Sequence, residues 1–342
     1  MTLISMINGY GRPLIISDRA ISEKGTLSTV LLSSTNNKTF SPTPVIDFNV
    51  KTLIIQDILC VTFSGRLTIL EEIHRDISDF FLHRQVSKAT LNEFLTSNEY
   101  GQECSLLFAM GGSEFPDQLF VLKIGDWIHE QGHGDIDVLS CGSGAMDWIS
   151  YLMQKLNYLN DDDNSEESSL QNILSACMAF LNLERKSTIN LRNGWGGGFD
   201  VVCFQGGKFH RFEDITYIFY KYDFTMPGQP AVLSVIHNSY VNGDVIVRHF
   251  IEAGFEIYHI PQLNNRLPIT EIDPNCSSKN VISCVHLFEG QQFHSDLGVM
   301  FWDTNPDADP AIFTTRENGM FGIRFRDEYI KQIKKAIKLF LN

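Results

Sequence analysis

The chain has 342 residues, enough for two domains or for one domain with a large extension, and its 43% hydrophobic and 20% charged content is that of a folded protein. A formal net charge of −14 argues against a nucleic-acid groove or an anionic membrane surface as the main partner. The seven cysteines are odd in number and form no C-x-x-C pair, which fits a reducing compartment; with no signal-peptide pattern and no apolar run of bilayer length, the expected location is the cytoplasm.

The apolar runs Leu3 to Ile7 and Leu14 to Ser17 flank a turn-rich Asn8-Gly9-Tyr10-Gly11, a β-hairpin pattern that places Thr2 at the start of the first strand. Residues 21 to 44, rich in Ser, Thr and Asn, read as a long loop or ragged hairpin. Lys51 to Ile55 and Ile58 to Phe63 form a strand pair that ends at Gly65. Leu67, Ile69, Leu70, Ile73, Ile77, Phe80 and Phe81 then recur at helical spacing. Strand-like runs follow at Ser105 to Met110, Leu119 to Ile124 and Ile136 to Leu139, ending in Ser140-Cys141-Gly142-Ser143-Gly144 before an amphipathic helix with Met146, Ile149, Leu152, Met153 and Leu156 on one face.

The run NDDDNSEESS (160 to 169) has no apolar residue and reads as a solvated loop between two helices, the second spanning about Leu170 to Leu183. Asn193-Gly194-Trp195-Gly196-Gly197-Gly198 then introduces a strand from Phe199 to Phe204, and Gly206-Gly207 turns into another. From about 222 onward six strand-like runs and a final helix suggest a second, β-rich α+β domain. The expected domains are therefore 1–221 and 222–342. That final helix places Tyr329, Ile330, Ile333, Ala336, Ile337, Phe340 and Leu341 on one face and four lysines opposite, a pattern that docks onto its own β-domain.

Thr2, Asp18-Arg19, Lys51 with Ser64-Gly65, and Gly142-Ser143-Gly144 line up in one order. Asp18 lies 16 positions after Thr2 and Gly65 lies 14 after Lys51. This arrangement resembles the proteasome β-subunit family, including its bacterial two-component relatives, among the N-terminal nucleophile hydrolases. The resemblance covers roughly residues 2 to 215 and implies a four-layer αββα sandwich, of α+β class, with a β-rich C-terminal extension. It implies a nucleophile at Thr2 exposed by removal of Met1, since methionine is generally cleaved before a small second residue. It also implies a peptide or protein substrate, a homo-oligomer, and an ATPase or other protein partner, with no cofactor and no metal.

The chemistry of those positions is coherent. A free α-amine titrates at about 7.7 to 8.0, so at neutral pH a useful fraction is a base able to take the Thr2 hydroxyl proton. A Lys51 ammonium beside the hydroxyl favours the developing alkoxide, and Asp18 holds that lysine charged. The Gly65 amide would donate to the oxyanion, a contribution of about 2.7 to 4 kcal/mol. Ser143 would hydrogen-bond the amine, and Phe63 would line and narrow the primary specificity pocket.

The sequence also departs from that family. Its aspartate and serine before the penultimate strand are replaced by Asn193 and Gly196, and 33 residues separate Asp18 from Lys51, about twice the usual interval. Asn193, Gly196 and the long C-terminal extension favour an alternative: a catalytically silent subunit that acts as scaffold, sensor or partner-binding module. A third class, the metalloprotease, rests on His129-Glu130-Gln131-Gly132-His133, which spells H-E-x-x-H. Its glycines and flanking strands suit a hairpin loop better than the helix a zinc site needs. Asp303, Asn305, Asp307 and Asp309 mimic the start of a calcium loop, but the glycine is missing and Thr314 stands at the terminal glutamate position.

Overall fold

The computed structural model describes residues 2–8, 13–23, 43–98, 100, 104–112, 119–131, 136–156, 166–187, 189–226, 228–251, 254–264, 275–301, 309–315 and 321–342. His133 and the segment 303–308 of the calcium-like motif lie outside them. Two compact units divide the described chain: one holds the residues up to Phe212 together with 261–264, the other holds Glu213–Ile260 and the rest of the C-terminal part. The break falls at Phe212, whereas a division at 221/222 would cut a strand.

The first unit opens with β1 (Ile4–Asn8), β2 (Leu14–Asp18), β3 (Ala20–Ser22), β4 (Val45–Phe48), β5 (Thr52–Ile55) and β6 (Leu59–Gly65). Helices α1 (Leu67–Phe81) and α2 (Lys88–Ser97) follow, then β7 (Cys104–Met110), β8 (Phe120–Ile124), β9 (Ile128–Gln131) and β10 (Asp137–Cys141). Helices α3 (Ala145–Leu156), α4 (Glu166–Ser187) and α5 (Ile189–Arg192) lead to β11 (Phe199–Gln205) and β12 (Lys208–Arg211). A six-stranded sheet runs β12-β11-β2-β1-β10-β9, and a four-stranded sheet runs β5-β6-β7-β8.

Alternation along β6 explains how this second sheet is covered. Leu59, Val61 and Phe63 face one side, where they pack with Leu70, Ile73, Ile77 and Phe81 of α1 and Leu91 and Phe94 of α2. Cys60 faces the other side, where it joins Leu107, Ala109, Met6, Ile15, Val202 and Phe204, so the two sheets share a core. Beyond the six-stranded sheet, the Trp148 ring of α3 lies 5.5 Å from Phe180 of α4 and 6.0 Å from Phe199 of β11. The long interval between Asp18 and Lys51 is accounted for in part by the antiparallel pair β3–β4, with Ala20 opposite Phe48.

The second unit contains β13 (Ile215–Asp223), β14 (Ala231–Val241), β15 (Asp244–Ile251), β16 (Gly254–Ile260), β17 (Cys276–Ser278), β18 (Asn280–Glu289), β19 (Gln292–Phe301), β20 (Ala311–Thr315), β21 (Phe321–Phe325) and α6 (Asp327–Leu341). Its main sheet is ordered β16-β15-β14-β13-β18-β19, with β13 and β18 parallel and the other neighbours antiparallel. Helix α6 buries Tyr329, Ile333 and Ile337 against Ile218, Val281, Val285 and Leu287 of that sheet. Its lysines 331, 334, 335 and 338 stay exposed, so the basic face is the solvated one.

A four-layer αββα sandwich with an extension does not describe this chain. Among the described residues strand accounts for 50% and helix for 27%, spread over several separate sheets and six helices. The physical reason lies in the many strands after residue 213, which pair among themselves into a large sheet of their own. Among the described residues no helix is long and apolar enough to cross a membrane, and none of the seven cysteines is in a disulfide.

Candidate active site

Thr2 is held just ahead of β1, and Asp18 ends the neighbouring antiparallel strand β2. The hairpin register sets Ile4 against Ser17, which brings Asp18 back beside the start of the chain. The amide of Leu3 donates to Asp18 Oδ1 at 2.9 Å, and the Asp18 amide donates to the Leu3 carbonyl at 3.0 Å. The Thr2 hydroxyl donates to the same Oδ1.

Lys51 enters from the other sheet, one residue before β5. Its ammonium donates to Thr2 Oγ1, to Asp18 Oδ1 at 2.7 Å and to the Ala20 carbonyl at 2.5 Å, which uses all three of its protons. The three side chains are almost completely buried, Thr2 being 2% exposed. Burial pulls the Lys51 ammonium below the usual lysine range, and the Asp18 carboxylate opposes that pull. Beside this group, Ser17 and Thr52 share a hydroxyl–hydroxyl hydrogen bond of 2.7 Å between the two sheets.

The Gly142-Ser143-Gly144 turn closes over Thr2. A Cβ on Gly142, whose φ is +91°, would stand 2.0 Å from the Thr2 carbonyl oxygen, so only glycine fits. The Gly144 amide donates to that same oxygen at 3.3 Å. Ser143 itself is exposed at the tip of the turn and makes no hydrogen bond among the described residues. Its expected contact with an amine at Thr2 is therefore absent, because its side chain turns outward.

Gly65 ends β6 opposite Cys104, directly ahead of α1. Phe63 is not a pocket residue. It is fully buried among the α1 side chains, with its ring 5.8 Å from that of His74, because β6 alternation sends it to the helix-covered side. His129 and Glu130 lie on the strand β9, paired with Leu139 and Val138, so they point to opposite faces of a sheet instead of sharing a helix face. His129 Nε2 meets Asp137 Oδ1 at 3.2 Å. Thr314 sits within β20.

Several partners of the site carry no local sequence signal. Gly196 donates its amide to Asp18 Oδ2 at 2.7 Å. Glu184 of α4, fully buried, accepts from Asn190 Nδ2 at 2.5 Å and from the Gly197 amide at 2.9 Å. A Cβ on Gly196 would lie 2.2 Å from Glu184 Oε1, so the place a serine side chain would take is already filled by that carboxylate. Arg19 donates from Nε to Asp200 Oδ1 at 2.9 Å, a buried ion pair next to the Asp18–Lys51 pair. Cys141, at the end of β10, has its thiol pushed up to about 12 by burial and stays protonated.

No protein-family model matches the chain, and a search of curated proteins finds no significant match.

Proposed function

We propose that the first unit is a threonine-type peptide or amide hydrolase whose nucleophile is Thr2, active once the chain ahead of Thr2 is removed. The observation that carries this reading is the single buried Lys51 ammonium bonded to both Thr2 Oγ1 and Asp18 Oδ1. In the freed form, the α-amine takes the hydroxyl proton as Thr2 Oγ1 attacks the substrate carbonyl carbon. Lys51 stabilises the alkoxide, and Asp18 keeps Lys51 protonated and aimed. The tetrahedral intermediate then expels its amine, which leaves with the proton held by the α-amine, and water hydrolyses the resulting ester. The amide of Gly65 is the oxyanion donor in this scheme. The substrate class is a peptide or protein, and the resemblance to the proteasome β-subunit family stands on these residues alone.

The test is intact mass together with an epoxyketone or β-lactone probe. Wild type should begin at Thr2 and take up one probe per chain at that residue, and Thr2→Ala should take up none while keeping its circular dichroism. Retention of Met1 with no adduct between pH 6 and 9 would reject the enzyme.

A second reading is favoured by one observation. Gly196 and Glu184 occupy the space where the family's supporting serine would stand. On this reading Thr2, Asp18 and Lys51 form a buried structural network in a silent, partner-binding subunit. The same labelling experiment separates the two.

A further inference from the structure

On the second unit's main sheet, side chains of β18 alternate between two faces. Val281, Val285 and Leu287 pack in the core with α6, and Ser283 bonds the Tyr329 hydroxyl of that helix. Cys284 and His286 therefore project from the opposite face, two residues apart and side by side. The antiparallel register places Asp296 of β19 across from His286, on that same face, and Gly298 across from Cys284. His286 Nδ1 and Asp296 Oδ1 are 2.6 Å apart. The Cys284 sulfur, a His286 nitrogen and an Asp296 oxygen all lie within 4.8 Å of one another.

We infer that Cys284, His286 and Asp296 form a binding site for a divalent transition-metal cation, zinc being the best fit. Thiolate, imidazole and carboxylate are the three donor types that zinc accepts, and the thiolate disfavours magnesium or calcium. A thiolate and a carboxylate together neutralise a 2+ ion. Bonds of about 2.0 to 2.3 Å require ligand atoms about 3.3 to 3.8 Å apart in a tetrahedron. The His286–Asp296 pair must therefore open by somewhat more than half an ångström.

Asp296 can supply that movement, because its side chain is 32% exposed and β19 is the edge strand of the sheet. That edge is also the route by which a cation arrives. A water as fourth ligand has room on this face: a Cβ built on Gly298, across from Cys284, meets nothing within 4 Å among the described residues. On binding, the thiol gives one proton to solvent, while the neutral imidazole shifts its proton to Nε2 as Nδ1 takes the metal. One proton leaves per cation, so affinity rises with pH.

The site lies in a different unit from Thr2, and its test is independent of any hydrolase activity. The full chain, stripped by a chelator and dialysed, is titrated with Co2+ and then with Zn2+ against a chromophoric chelator. One equivalent of Co2+ should give a thiolate-to-cobalt charge-transfer band and intense tetrahedral ligand-field bands, both lost on adding Zn2+. Cys284→Ser should abolish the charge-transfer band, and Asp296→Asn, a change at a part-exposed side chain that should not threaten folding, should weaken affinity at least tenfold. Cys203→Ser and Cys276→Ser should change neither. The site is refuted if no charge-transfer band appears, if the band follows Cys203 or Cys276, or if Asp296→Asn binds as tightly as wild type.

Discussion

The amide of Gly196 donates to Asp18 Oδ2 at 2.7 Å across 178 positions of sequence, while Oδ1 of the same carboxylate takes Thr2, Leu3 and Lys51. The carboxylate thus meets four donors in a fully buried place. It is both the counterion of Lys51 and the fastening between the first hairpin and the loop ahead of β11.

Asp18→Asn should therefore fail twice. It turns an all-acceptor group into one with two N–H donors facing donors, and it leaves Lys51 buried without its charge partner. Loss of one member of a buried pair costs about 3 to 5 kcal/mol. Urea denaturation should show a loss in that range, and probe labelling at Thr2 should vanish; a variant as stable as wild type would show that the pair is not formed in solution.

Gly196 resists any side chain. Its φ of +117° is one that L-residues rarely adopt, and a Cβ meets Glu184 Oε1 at 2.2 Å. Gly196→Ala should cost about 2 kcal/mol or more, and Gly196→Ser should not improve labelling even though it restores the residue expected from the family resemblance. Glu184→Ala combined with Gly196→Ser should lose less than the two single losses added together, as a double-mutant cycle would measure.

His74 should make stability fall in acid. Burial lowers its pKa from 6.5 to about 4, and both ring nitrogens lack a hydrogen-bond partner among the described residues. Between those values the unfolded chain binds a proton that the folded chain does not, so stability drops as pH falls from about 6.5 towards 4. The full effect is about 3 kcal/mol. In His74→Leu that part of the pH dependence should be missing, so the wild-type stability minus that of the variant should fall as pH drops from about 6.5 towards 4.

In the second unit, Tyr329 joins α6 to the sheet through Ser283 and through the Tyr220 hydroxyl at 3.2 Å. Tyr329→Phe keeps the packing but strands two buried hydroxyls. A loss of about 1 to 3 kcal/mol is expected in thermal unfolding monitored by calorimetry. No measurable loss would mean that these hydroxyls find other partners.

Helix α1 was legible because Leu70, Ile73, Ile77 and Phe81 repeat at the helical period, and β1 and β2 because their apolar runs end in turn residues. Helix α2 is not legible in the sequence: only Leu91 and Phe94 of its ten residues are buried, too few to make a periodic signal. The grouping of Thr2, Asp18 and Lys51 could be suspected from spacing, since a hairpin fixes where Asp18 returns. Glu184 and Asp200 could not, because nothing local marks a carboxylate whose partners come from other elements. The burial of Phe63 under α1 is not legible for a related reason: alternation tells which residues share a face, but not which face a helix covers. The layer count failed because resemblance over the first part of a chain says nothing of how the later strands pair.

The Ser17–Thr52 hydroxyl bond sits next to both charged residues of the site, one from each sheet. Asp18 and Lys51 are thus carried on separate sheets that meet through a shared core as well as through these polar bonds. The site behaves as a gauge of how far one sheet slides over the other. A change of volume at Met6, Leu107 or Val202, which touch none of the reacting groups, would be read at Thr2 as a change in the distance between an ammonium and a carboxylate.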